Sequence, residues 1–389
     1  MFRTYNPYEL FGQRRRTAGD LLRPATSERK SAMRTAAKTG VVLAGLTASA
    51  LLLAGCSSDG ATATSADTNK ADILLSYSQP HTDPFQNAEN VGSMERFAEL
   101  GYGTIPATNA DRDASQQLTD IQTLINKGAK GLVISVGDAD AIVPAIEYAN
   151  DSSVPIVAID EAPASGKIAM IVRADNVNMG ALACEEMGSR VKAGDAVITL
   201  DGDPVTSNGR DRTNGFNDCM AEKYPDVKLV NVATEWDPAK AAAGIETAMN
   251  QYDNIAGIYN QSDATFFPTI LDTLDSLGKL IPVGQPGHVV QVSVDASPMA
   301  MTAIRDGWLD AAVAQPMTDY IDYGVDYLTR AISGETFQAG ETDHGSVIEE
   351  RNGNLVDLLP TPVVTSENVD DPDLWGNKEF ALEAFGVTK

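Results

Sequence analysis

One pattern runs through most of this chain. A short, nearly uninterrupted apolar run is followed by a longer stretch whose apolar residues recur three and four apart. Residues 73–77, 102–105, 131–135 and 155–160 read as strands, and 86–100, 114–127 and 139–150 between them as helices. In 114–127, Leu118, Ile121, Leu124 and Ile125 share a face and Gly128 follows as a stop. Strands apolar on both faces need cover on both faces, which predicts parallel sheets flanked by helices. The rhythm restarts after Asp175, with strands at 196–200, 227–231, 255–259 and 289–294. Helices are predicted over 179–191, 211–223, 238–251, 265–277, 298–306 and 320–332. About 319 residues lie beyond Lys70, more than one core usually serves. The expected class is therefore α/β, with two doubly wound parallel-sheet lobes.

The N-terminal part is built differently. Arg29, Lys30, Arg34 and Lys38 precede an apolar run over 41–54, too short to span a bilayer. Cys56 follows Leu53-Ala54-Gly55, and Ser/Thr/Ala/Asp-rich sequence continues to Lys70 as a flexible spacer. This order resembles a bacterial lipoprotein signal. The resemblance implies a signal peptide over 1–55, lipid on Cys56, a linker over 56–70 and an extracytoplasmic, membrane-anchored product. Met33 makes a more ordinary start than Met1. The Arg14-Arg15-Arg16 run is a weaker match to a twin-arginine signal, because no apolar run follows closely. Residues 1–55 hold 9 of the chain's 29 Lys+Arg and 3 of its 54 Asp+Glu, which leaves a remainder of net charge about −31. So acidic a body is a poor partner for nucleic acid or anionic lipid, and membrane attachment falls to the lipid. Cys184 and Cys219 are the other two cysteines. In an exported domain they form a disulfide or remain two buried thiols, and the compartment favours the disulfide.

Ligands of open parallel sheets sit beyond the carboxyl ends of the strands, and polar residues recur there. They include His81-Thr82-Asp83-Pro84-Phe85, Asp160-Glu161, Asp201-Gly202-Asp203, Glu235-Trp236-Asp237, Asn260-Gln261-Ser262-Asp263, Asp295 and Gln315. Carboxylates and amides supply acceptors, and Arg212 a fork of donors. Polyhydroxyl ligands need many such partners, because a buried hydroxyl left unpaired costs free energy. Any one Asp or Asn after a strand is as readily a helix N-cap; the weight comes from recurrence in both lobes.

Six segments taken in order resemble a known family: Asp83-Pro84-Phe85, Pro155-Ile156-Val157-Ala158-Ile159-Asp160, Ala174-Asp175-Asn176, Arg212-Thr213-Asn214-Gly215-Phe216, Asn260-Gln261-Ser262-Asp263 and Ala314-Gln315. They resemble the sugar-binding lipoproteins of ABC importers, of the periplasmic binding protein type I fold, near the ribose-binding pattern. The resemblance implies a lobe 1 over 71–174 plus 316–358, a lobe 2 over 175–315 plus 359–389, and three hinge segments near Ala174-Asp175, Gln315-Pro316 and Leu359-Pro360. It also implies hydroxyl-binding roles for Asp83, Asp160 and Asp295, stacking by Phe85 and Trp236, and a donor at Arg212. Gln86, Ser135, Ser262 or Asp263, and Gln315 fall at further contact positions. Glu161 completes the candidate set; it stands where ribose binders carry Arg, and Gln86 and Ser135 also depart from the pattern. With Asp83, Asp160, Glu161, Asp263 and Asp295 set against Arg212, anionic solutes are disfavoured. A neutral sugar, a polyol or an amino sugar remains open.

The implied partner is an ABC permease with a cytoplasmic ATPase. The alternative is a sensing lipoprotein that presents its ligand to a signalling receptor. The chain lacks a Gly-x4-Gly-Lys-Ser/Thr phosphate loop. His81, His288 and His344 are isolated and no Cys/His spacing suggests zinc, so no metal or cofactor is expected. Asp160-Glu161 are adjacent, with diverging side chains, a poor layout for a glycosidase pair. Sugar-responsive repressors share the fold but carry a DNA-binding helix-turn-helix where this chain has its signal and spacer. A monomeric binding protein rather than an enzyme is expected.

Overall fold

The computed structural model describes residues 69–387, which fall within one unit running from Ala66 to Lys389. The expected signal, Cys56 and nearly all of the expected linker lie outside the described residues. Within them, the apolar runs become strands and the amphipathic stretches become helices. The first half holds β1 (Leu74–Gln79), α1 (Pro84–Glu99), β2 (Gly103–Thr104), β3 (Thr108–Asn109), α2 (Ala114–Asn126), β4 (Gly131–Ile134), α3 (Val143–Asp151), β5 (Ile156–Ile159) and β6 (Met170–Ala174). The next run is α4 (Asn176–Gly188), β7 (Ala196–Asp201), α5 (Ser207–Lys223), β8 (Lys228–Ala233), α6 (Pro238–Gln251), β9 (Ile255–Asn260) and α7 (Asp263–Ser276). β10 (Val290–Asp295), α8 (Pro298–Asp306), β11 (Ala311–Ala314) and α9 (Met317–Ile332) follow. Last come β12 (Gly340–Glu341), β13 (Val347–Arg351), β14 (Asn354–Leu359), β15 (Val363–Val364) and α10 (Glu379–Ala384).

Two sheets result. The first runs β12-β13-β14-β6-β5-β4-β1-β2, with β3 also paired to β1. It is parallel from β14 to β2, and the β12–β13–β14 pairs are antiparallel. The second runs β15-β11-β10-β9-β7-β8, parallel except for β15. Helices cover both faces of each sheet, so Leu132, Val133, Val157, Ala158, Val197 and Ile198 are fully buried whichever way they point. On the first sheet, α9 packs over β4, β5 and β6, while α2 packs with α3. In the second lobe, α4 pairs with α5, and α6 with α7.

The chain passes between the sheets from β6 to α4, from β11 to α9 and from β14 to β15. The C-terminal tail then returns. A short 3-10 turn at Trp375–Asn377 packs on α8, and α10 packs against α1 of the first lobe. Cys184 on α4 and Cys219 on α5 form a disulfide, with Cα atoms 6.1 Å apart.

Several elements differ from the sequence reading, which also leaves out β3, β12, β15 and α10. The strand expected over 102–105 shrinks to the two residues of β2. β6 escapes notice because it is short and carries Arg173 within it. The β13–β14 hairpin holds Glu349, Glu350, Arg351 and Asp357, so no apolar run marks it. Its Asn352-Gly353 turn, with both residues at positive φ, is a strong local hairpin signal.

Candidate functional site

The two sheets point the carboxyl ends of their strands at each other across a cavity of about 210 Å3. Ten of the sequence candidates line it: Asp83, Phe85, Gln86, Asp160 and Glu161 from one side, and Arg212, Trp236, Ser262, Asp295 and Gln315 from the other. Ser135 and Asp263 are not among the lining residues. Ser135 is buried just beyond β4, its carbonyl accepting from the Gln117 amide at 2.7 Å. Asp263 turns into its own lobe and accepts from Ser293 Oγ at 2.7 Å and from the Ala296 and Ser297 N–H groups at 2.9 Å.

The backbone aims several of these side chains by unusual means. Asp160 (φ 60°), Trp236 (φ 56°) and Asp295 (φ 107°) all sit at or beyond strand ends with positive φ. Non-glycine residues adopt that region at a cost, and such strain concentrates at working sites. Asp83 shows how a cap and a cavity residue coincide. Its Oδ1 accepts from the Gln86 N–H at 2.8 Å at the start of α1, while its Oδ2 meets His81 Nε2 at 2.9 Å.

The floor is acidic and buried. Asp160 is 4% exposed and Asp295 2%. Burial, and then the neighbouring Glu161, push the Asp160 carboxyl up to about 7, although Arg212 and Asn208 pull it back. Burial and Asp263 push Asp295 well above the usual range against the pull of Arg212 and Ser262. Burial lowers the Arg212 guanidinium, but Asp295 and Asp160 more than offset it and keep it charged. Arg212 is aimed by two acceptors: Nε donates to Asn176 Oδ1 and Nη1 to the Gln261 carbonyl, both at 2.7 Å. Its Nη1 lies 3.7 Å from Asp295 Oδ1, while Nη2 donates to no protein acceptor among the described residues. The side-chain oxygen of Gln86 is buried with no protein donor among the described residues. The walls thus hold an unused donor on one side and an unused acceptor on the other.

Two aromatic rings face the same space. Phe85 packs edge-on against Trp375, centroids 5.8 Å apart. Trp236 stacks near-parallel to Phe266 at 6.1 Å. Gly202 makes room for it, since a Cβ there would lie 2.2 Å from the indole.

This two-sheet frame with its polar cleft agrees with the comparison to known families. Residues 74–336 match the periplasmic binding protein domain. The chain belongs to that family. Membership makes it an extracytoplasmic binding protein rather than an enzyme. It is 29% identical over 274 residues to the ribose import binding protein of Bacillus subtilis (strain 168), covering 69% of this chain and 86% of that one. It is 24% identical over 280 residues to the xylitol-binding protein of Mycolicibacterium smegmatis, covering 71% and 76%. Among solved structures, a solute-binding protein from Bacillus halodurans C-125 with bound myo-inositol superposes with a TM-score of 0.67 at 19% identity. That match covers 79% of this chain and 99% of the other, and shows a common fold.

In this periplasmic binding protein, Asn208 and Trp375 are two residues of the site that lie outside the candidate set. Asn208 lies in the first turn of α5, and its Nδ2 donates to Asp160 Oδ1 at 2.8 Å. The signal available was its place in Ser207-Asn208-Gly209, just before Arg212. Trp375 Nε1 donates to the Asp295 carbonyl at 2.6 Å, bracing that strained strand end from behind. No local signal marks it, because its partners are distant in sequence. Among the described residues no group of His, Cys, Asp and Glu is arranged to hold a metal ion, and no helix is long and apolar enough to cross a membrane.

Proposed function

We propose that the chain captures a sugar or polyol between its lobes and delivers it to the permease of an ABC importer, as a lipoprotein tethered through Cys56. The observation that carries the solute class is the pairing of apolar and polar walls. Phe85 and Trp236 offer faces for C–H surfaces, while Asp160, Arg212, Asp295, Gln86 and Gln315 converge on the same space. Each buried hydroxyl then finds a partner, which its desolvation requires. The ribose and xylitol names of the relatives support the same class. The surplus of carboxylates favours neutral or amino-bearing solutes over sugar acids and phosphates.

The test is a thermal-shift screen of the purified protein against sugars, polyols, amino sugars and amino acids. A solute that binds only the folded state raises the melting temperature, adding about 2.7 kcal/mol of stability at a hundredfold excess over Kd. Arg212→Ala and Trp236→Ala are each expected to abolish the shift. A shift from amino acids alone, or one surviving both substitutions, overturns the reading. Cys56→Ala is expected to release the protein from the membrane fraction; retention there overturns the anchor.

A further inference from the structure

Glu161, which lines the cleft, commits one of its oxygens to the opposite lobe. Its Oε2 accepts from Ser207 Oγ at 2.5 Å and from the Asn208 N–H at 3.1 Å. Ser207 and Asn208 open α5, so the carboxylate sits at the positive end of a helix belonging to the other lobe. The Ser207 hydroxyl also accepts from the Ala162 N–H at 3.0 Å. From β6, Arg173 Nη2 reaches the same turn and donates to Asn208 Oδ1 at 2.8 Å and to Asp211 Oδ2 at 2.9 Å. Asn208 therefore bonds across the lobes to Glu161, Arg173 and Asp160. Glu161, Arg173 and Asn208 are all more than nine-tenths buried. Every one of these bonds joins protein to protein.

We propose that Glu161 and Arg173 are positioning residues that dock α5 onto the first lobe. They hold part of the closed arrangement by the protein's own bonds and set Arg212, one turn further along α5, against the cleft. Arg173 lies one residue before the end of β6, where the chain leaves the first sheet, so the contact sits beside a crossing between the lobes. When the lobes part, water replaces each partner and no buried charge is stranded, which makes the contact reversible. The glutamate after Asp160 then has a physical reason. An arginine there would bring a second positive charge to the turn that Arg173 already serves, and leave the Asn208 N–H without its acceptor.

The proposal rests on the solute-binding reading only for its affinity arm. In solution scattering of the purified protein without added solute, Glu161→Ala and Arg173→Met are each expected to increase the radius of gyration, and the double variant more. Saturating solute is expected to return all three to the wild-type radius. If the closed population falls tenfold, apparent Kd rises about tenfold, because affinity scales with the competent fraction. Glu161→Gln keeps an acceptor for the Ser207 hydroxyl but no charge, and is expected to give an intermediate radius. A double variant that folds, by circular dichroism, with the wild-type radius overturns the proposal. Should the double variant not fold, the Glu161→Gln radius decides, and one equal to wild type overturns it. A wild-type protein that binds no sugar or polyol fails the functional reading alone, since the radius comparison needs no solute.

Discussion

Each lobe presents a pair of carboxylates at its strand ends, and the two pairs divide their work differently. In the first lobe, Asp160 faces the cavity while its neighbour Glu161 reaches across to the start of α5. In the second, Asp295 faces the cavity while Asp263 reaches to the turn that enters α8. Both supporting carboxylates satisfy N–H groups at or just before a helix start, where anions are favoured. The difference is whose helix it is. Asp263 ties together parts of one lobe, so its bonds bear on stability. Glu161 ties parts of two lobes, so its bonds bear on the distance between them. One chemical motif serves as a structural brace or as a closure contact according to the connectivity around it.

The comparison can be broken most forcefully at Asp263. Asp263→Ala leaves the Ala296 and Ser297 N–H groups buried without acceptors, at a cost of about 3 kcal/mol. Urea denaturation is expected to show that loss, and scattering an unchanged radius without solute. An increased radius would erase the distinction between the pairs.

Asp160 tests the cavity-facing members. Its folded-state value of about 7 lies above the ordinary 3.8, so between these values the native state binds more protons than the unfolded state. Stability then falls as pH rises through that window. Asp160→Asn removes the penalty and keeps the shape. It is expected to melt higher than wild type at about pH 8, by roughly 5 °C, with the gap closing as the medium is acidified, and to lose solute binding. A variant that melts lower under those alkaline conditions would show that the charge is stabilising.

The smallest effects give the sharpest contrast. Ser207→Ala and Ser297→Ala each remove one hydroxyl at a helix start, and each is expected to cost about 1 kcal/mol. Solute titrations are expected to weaken for Ser207→Ala and to stay near wild type for Ser297→Ala. Equal effects on affinity would place both hydroxyls in the same role.

Much of the fold was legible because its signals are local. The apolar run of β4 and the spacing of Leu118, Ile121 and Leu124 along α2 carry their own periodicity, whatever packs on them. β6 was not legible, because Arg173 interrupts its apolar run to serve a contact in the other lobe. The site was legible as a set of positions, since strand ends follow from strands. Phe85 and Trp236 reach the cavity from just beyond strand ends, and Arg212 from the second turn of the helix that follows one. Trp375 was not, because it meets Phe85 and Asp295 only through the return of the C-terminal tail.

The sequence by itself determined the alternation of strands and helices, the doubling into two α/β lobes and the acidic chemistry at the strand ends. Those properties depend on the order of side chains over short stretches. Only the tertiary structure decided which acid faces the cleft and which braces a helix. A carboxylate has several oxygen lone pairs and accepts from whatever donors packing brings within hydrogen-bond reach. For Glu161 those donors lie on Ser207 and Asn208, 46 and 47 residues away, and for Asp263 on Ser293, Ala296 and Ser297. No local pattern encodes that choice, because it is made by the packing of elements far apart along the chain.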